Sequence, residues 1–216
     1  MEGSLSRLEL AFRAIDAANA DDPAAVVVDG VTRPKEQAHA EGAVAWVRAL
    51  RPDASEALLL AARAHHVRRW EIPRSSEAEG RAGYLRWKRR LQRHHADVAG
   101  AVLSEVGYEE DVVVRVQAIV RKEGLRSDPE VRTLEDALAL VFVETQLTDL
   151  ARRLAEDHVV EVVAKTLAKM SAEGRAAALD LPVDATVAPL LARAAAATRD
   201  RVEGTEGQPT RDGDTA

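Results

Sequence analysis

Between Thr133 and Leu150 the chain reads "TLEDALALVFVETQLTDL", and the centre of this stretch is apolar on nearly every side of a helical wheel. Such a helix is normally buried in the middle of a bundle. The rest of the chain must therefore supply amphipathic helices to surround it. Leu5, Leu8, Phe12, Ile15 and Ala18 recur at helical spacing and predict a first helix over Ser4 to Ala20. Hydrophobic residues make up 46% of the chain, mostly Ala, Leu and Val, with only seven aromatics. That composition favours close-packed helices over a sheet, whose core draws on aromatic and β-branched residues. The expected fold is all-α: a single-domain helical bundle over 1–201, with 202–216 having the composition of a disordered tail.

The remaining boundaries follow from breakers and caps. "VVVDGV" predicts a brief extended turn, and a second helix begins near Pro34, aligning His39, Ala43, Trp46 and Leu50. A third runs through "ASEALLLAARAHH" to His66, followed by a long irregular connection over "VRRWEIPRSSEAEGRAG". The next spans Tyr84 to Val106 and stops at Gly107, where a left-handed cap is favoured. A fifth covers Glu109 to Lys122, and Thr133 is expected to cap the buried helix. Another lies over His158 to Ser171, before a last Ala-rich helix loosened by Pro189.

Composition excludes several kinds of chemistry. Cysteine is absent, which removes disulfides, thiolate metal sites and a cysteine nucleophile. No window reaches the roughly 20 apolar residues of a membrane span, and the amino end lacks a signal peptide's apolar run, so a cytoplasmic address and no membrane partner are expected. Net charge is −6, which argues against general nucleic-acid binding. Yet from Ala61 to His95 ten basic residues face three acidic ones (Glu71, Glu77 and Glu79), a local balance of +7. The segment through Val98 also holds four of the six histidines and two of the three tryptophans.

Candidate functional residues concentrate there. His39 lies on an apolar helix face, His65 and His66 close the third helix, and Asp136 shares a core stripe with Leu140, Val143 and Leu147. A core aspartate is costly unless paired, hydrogen-bonded or bound to a cation. Histidines and one carboxylate on separate helices suit Fe, Mn or Zn; the bland alternative is satisfied core histidines and a helix-capping Asp136. His95 is a candidate general acid or base, with Glu71 beside it as a second catalytic candidate. Arg69, Arg74 and Arg81 fall in a loop beside Trp70 and Tyr84, where guanidinium forks suit a small phosphate, carboxylate or nucleotide. Lys122 joins them as a candidate anion ligand from a second charged cluster. Arg86, Lys88, Arg89, Arg90 and Arg93 read as a solvated basic helix face pairing with the acidic remainder.

The motifs "RPKE", "AARAHHVRRWEIPR", "GRAGYLRWKRRLQRHHA", "VGYEEDVVVRVQAIVRKEGLRSDPEVRTLEDALALVFVE" and "KTLAKMS" resemble a bacterial and fungal family, domain of unknown function 4202, over about Arg7 to Leu181. More distantly, the order of features is similar to the HD-domain phosphohydrolases, α-helical bundles that bind one or two divalent metals. That resemblance implies His39 as the first histidine, "AARAHHVRR" as the stretch ending in a His-Asp pair, "HHADVAGAVLSEVGY" as the later His-bearing helix, and Asp136 as the terminal aspartate. The pair is His65-His66 here, so the bridging carboxylate is missing. The resemblance then implies a mononuclear site drawing on His39, His65 or His66, and Asp136.

Three readings of function follow. The first is a metal-assisted hydrolase of a small phosphorylated or nucleotide-like compound, the metal activating water while arginines hold the anion. The second is a metal-free module on a degenerate HD-like fold that binds an anion or an RNA element. The third is a metal-dependent oxygenase on the same scaffold. The sequence leaves the substrate and the oligomeric state open.

Overall fold

The computed structural model describes residues 5–28 and 30–206, without the side chains of 199–206. The chain is all-α apart from one small hairpin, and none of its described helices is long and apolar enough to cross a membrane. Where the sequence suggests one domain over 1–201, the chain groups into two compact units, Met1–Leu138 and Ala139–Ala216.

In the first unit, α1 (Arg7–Ala18) opens with a capping box: Ser6 Oγ accepts from the Glu9 amide while the Glu9 carboxylate accepts from the Ser6 amide. The "VVVDGV" segment is more than a turn. It forms an antiparallel pair, β1 (Ala25–Val28) and β2 (Val31–Pro34), in register from Ala25–Pro34 to Val28–Val31. Pro34 then leads into α2 (Lys35–Leu50), whose buried stripe is Glu36, His39, Ala40, Ala43, Val44 and Val47, leaving Trp46 and Leu50 half-buried. Helix α3 (Glu56–Ala64) is capped by Ser55 and packs on α1, α2 and α5 (Glu110–Val120).

Two helix starts differ from expectation. Helix α4 begins at Gly80 instead of Tyr84 and runs to Val106. Gly83 is not a breaker: a Cβ there would lie 1.9 Å from the Ala78 carbonyl oxygen, so glycine lets the first turn press against the preceding backbone. Helix α6 (Pro129–Arg153) begins four residues before Thr133. Asp128 supplies the cap, accepting from the amides of Glu130 and Val131, while Thr133 donates within the helix to the Pro129 carbonyl. Ile15, Val47, Leu58, Leu60, Leu103, Val116, Ile119 and Leu134 form the fully buried centre of this unit. Each contributes about 1.5–3 kcal/mol relative to exposure.

In the second unit α7 (Glu156–Leu167) packs on α9 (Ala188–Glu206) through Val159, Val163, Leu167, Leu191 and Ala194. The helix expected over His158–Ser171 is α7, which stops at Leu167, and Ser171 caps a separate α8 (Ala172–Leu179). Pro189 does not loosen the last helix, because it sits in the first turn, where its missing N–H has no partner to lose. Helix α9 reaches Glu206, past the expected onset of the tail; residues 207–216 lie outside the described residues.

Candidate functional site

A cavity of about 200 Å³ opens in the first unit, lined by His65, His66 and Arg69, by Tyr84, Trp87, Lys88, Leu91, Gln92 and His95 of α4, and by Val120, Lys122, Leu134 and Leu138. Aromatic and aliphatic walls enclose a small set of cations and imidazoles. That is the usual make-up of a small-molecule site.

Hydrogen bonds fix the state of all three imidazoles. His65 donates from Nδ1 to the Ala62 carbonyl (2.8 Å), and His95 from Nδ1 to the Val67 carbonyl (2.8 Å). His66 donates from Nδ1 to Oε2 of Glu36 (2.9 Å). Burial holds His65 and His66 well below the ordinary histidine range, helped by neighbouring cationic or imidazole groups. Burial also lowers His95 to about 4, against the opposing pull of the Val67 carbonyl. At neutral pH each ring is therefore uncharged, with its proton on Nδ1 and a lone pair on Nε2. The Nε2 atom of His95 is buried and has no hydrogen-bond partner, in a residue only 3% exposed. Unsatisfied buried nitrogens are rare in folded proteins and call for a specific explanation.

Glu36 organises this cluster from behind. Its carboxylate lies against His66, 3.6 Å from Nε of Arg69 and 4.0 Å from Nδ1 of His39, and its amide donates to Asp22. Arg69 in turn donates to Nε2 of His66 (3.3 Å) and lies 5.3 Å from the Trp87 ring centroid. Trp87 is held by an indole N–H bond to the Ile72 carbonyl, and Tyr84 lies 5.9 Å from it, ring to ring.

The backbone is strained at the same place. Among the described residues, the two non-glycine positions with positive φ are Arg68 (51°), next to Arg69, and Lys122 (61°), on the cavity wall. Lys122 occupies the left-handed position of a Schellman motif at the end of α5, with its amide bonded to Ile119 and that of Glu123 to Ala118. Its ammonium pairs with Glu135. Arg68 is pinned through its amide to Oδ1 of the buried Asn19. Left-handed non-glycine residues cost about 1–3 kcal/mol and cluster at functional sites.

Of the residues singled out in the sequence, His65, His66, His95, Arg69 and Lys122 share this cavity. The others do not line it. His39 is buried behind Glu36. Asp136 is buried on α6 with Leu140, Val143 and Leu147. Glu71 is exposed, facing His94 (3.3 Å) and Arg68. The supposed irregular connection contains two 3₁₀ turns, and Arg74 belongs to the second, donating to the carbonyls of Glu77 and Ala78. Its role there is to tie off the turn. Arg81 is exposed in the first turn of α4. The carboxylates of the "RSDPE" segment are engaged too, since Asp128 and Glu130 clamp Arg115.

These positions bear on the metal centre that the HD resemblance implies. Among the described residues no group of three or more His, Asp or Glu side chains is arranged to hold a metal ion. His66 is engaged at both nitrogens, and a guanidinium cation stands at its Nε2. His39 and Asp136 do not line the cavity that holds His65 and His66.

Sequence reasoning missed Glu36, Gln92 and Trp87 and placed Lys88 on a solvated face, whereas Tyr84, expected beside the arginines, does line the cavity. The signal for Glu36 was present: an acid three residues before His39 falls on the same buried face of α2.

A family model described as "Domain of unknown function (DUF4202)" matches residues 9–191. No curated protein and no solved structure matches the chain. The cavity, with every residue that lines it, falls inside the matched span, and the chain belongs to the DUF4202 family.

Proposed function

We propose that this chain binds a small phosphorylated or nucleotide-like anion in the cavity of its first unit, with side-chain cations in place of a metal. The observation that carries the reading is the grouping of Arg69, Lys88 and Lys122 with Trp87 and Tyr84 around three imidazoles that burial keeps neutral. Neutral rings leave the cations uncontested by further positive charge, and the unpartnered Nε2 of His95 presents a lone pair to a ligand's hydroxyl or amino group. Arg69 offers a planar fork for an anion, Lys122 a point charge, and the aromatic wall a face for a base or similar ring.

Calorimetric titration of the full chain with inorganic phosphate and with a nucleoside 5′-monophosphate tests this directly. Binding is expected with and without EDTA, and Lys122→Met should weaken it roughly 10- to 100-fold, the worth of one charge-assisted hydrogen bond. Binding abolished by the chelator, or absent for every phosphorylated compound at millimolar concentration, would overturn the proposal.

One geometric feature favours a hydrolase as the second reading. The Glu36 carboxylate accepts the Nδ1 proton of His66 and leaves Nε2 as a base able to take a proton from water. Arg69 covers that nitrogen, and an anion drawing the guanidinium away would uncover it. Phosphate release from a bound nucleotide, lost on His66→Ala and reduced by Glu36→Gln, is the expected result. Tight binding without release leaves the binding reading alone standing.

A further inference from the structure

We infer that the nucleotide-like ligand is the end of a longer chain, and that the exposed flank of α4 holds the phosphates of a single-stranded nucleic acid. The inference rests on the reading of the cavity given above. Arg81, Leu85, Arg89 and Arg93 follow one another at four-residue steps, and Arg90 stands beside the row. On a helix those steps are about 6 Å each, so the row extends for about 18 Å. All four arginines are exposed, and among the described residues none of them makes a hydrogen bond or an ion pair. Among the described residues these four arginines have found none of the chain's 36 acidic residues, whereas Arg86 beside them donates to Glu77 at 3.1 Å. The expectation that acidic parts of the chain neutralise this face therefore holds for Arg86 and fails for Arg89, Arg90 and Arg93. Arg89 and Arg93 are like charges four residues apart, a spacing that destabilises a helix, so the pair is retained against its own electrostatics.

The row also borders the cavity. Lys88 and Gln92 line the cavity from α4, and Arg89 and Arg93 follow each of them in sequence, one step around the helix. Tyr84, 46% exposed, stands at the same edge beside Trp87. A nucleotide stacked on those rings would pass its next phosphate over Lys88 and onto the arginines. Single-strand binders combine these two elements, aromatic faces and a basic track along the backbone. Asp97, one turn beyond Arg93, ends the track. A lipid surface is the weaker occupant, because this face offers only Leu85 and Tyr84 as large exposed apolar groups.

The test uses the full chain, a fluorescent single-stranded RNA of about ten nucleotides, a nucleoside 5′-monophosphate, and vesicles containing anionic phospholipid. The triple variant Arg81→Ala, Arg89→Ala, Arg93→Ala alters exposed positions only, and its circular dichroism should match the parent. It should bind the RNA roughly 30-fold more weakly, lower the slope of log affinity against log salt by about 2, and bind the mononucleotide unchanged. Trp87→Ala should weaken both ligands. RNA bound equally by parent and triple variant, or no tighter than the mononucleotide, overturns the inference. So does vesicle binding that exceeds RNA binding and disappears in the variant. RNA binding that needs the row while the mononucleotide fails to bind removes the terminal nucleotide from the cavity, and with it the proposed function, but keeps the row as a surface.

Discussion

Helices α4 and α5 end with the same hydrogen bonds. At the end of α4, Gly107 and Tyr108 donate to Ser104 and Leu103; at the end of α5, Lys122 and Glu123 donate to Ile119 and Ala118. Both ends turn through a left-handed residue, with φ 93° at Gly107 and 61° at Lys122. Glycine takes that conformation freely, whereas a lysine takes it against its own Cβ. The difference lies in what each end faces. Gly107 closes a helix away from the cavity, and Lys122 stands on the cavity wall. Stability is given up where a ligand would be met and kept elsewhere. The buried His65 and His95, the unpartnered nitrogen of His95 and the left-handed Arg68 belong to the same pattern.

If that contrast is right, acid should find the cavity first. His95 has a folded pKa of about 4 against 6.5 for a free side chain. A depressed folded value means that the unfolded chain takes up the proton first as pH falls. The stability is therefore whole above pH 6.5 and is lost between 6.5 and 4. Its size is on the order of 3 kcal/mol from this residue. Urea unfolding across that window should show the loss, and His95→Gln should remove the part that belongs to His95 while leaving that of His65, His66 and His39. An unchanged pH dependence in the variant would detach the cavity from the cost.

Exchanging residues between the two helix ends has a smaller expected effect. Gly107→Lys should destabilise by about 1–2 kcal/mol, since nothing there compensates the left-handed turn. Lys122→Gly should change stability by less than about 1 kcal/mol, relief of strain being offset by the loss of the Glu135 pair, and should still weaken phosphate binding. Equal losses of stability from both exchanges would erase the distinction. The smallest effect is at Arg68, where glycine should be neutral or stabilising by about 0.5 kcal/mol in thermal denaturation.

Much of this was legible in the sequence where local chemistry decides the outcome. The all-α class followed from the unrelieved apolar stretch of α6, and Gly107 marked the end of α4. The histidine segment proved to be the place where a cavity forms. Tertiary packing was not legible. Gly83 looked like a breaker because the Ala78 carbonyl it accommodates is invisible to propensity. Thr133 looked like a cap because it stands just before the apolar run, whereas Asp128 caps the helix from further upstream. Arg74 and Arg69 are five residues apart in similar surroundings, yet one closes a turn and the other faces the cavity. Asp136 and the histidines suggested a metal because spacing cannot say that Glu36 and Arg69 already occupy the nitrogens of His66.

The most direct test of the account follows the imidazole nitrogens of the full chain by ¹⁵N magnetic resonance at neutral pH while a nucleoside 5′-monophosphate is added. His158, exposed in the second unit, serves as the internal reference. His65, His66 and His95 should begin as neutral rings protonated at Nδ1, and Nε2 of His66 and His95 should move on saturation while His158 stays still. Imidazolium signals from the three rings before addition, or shifts no larger than those of His158, would contradict it.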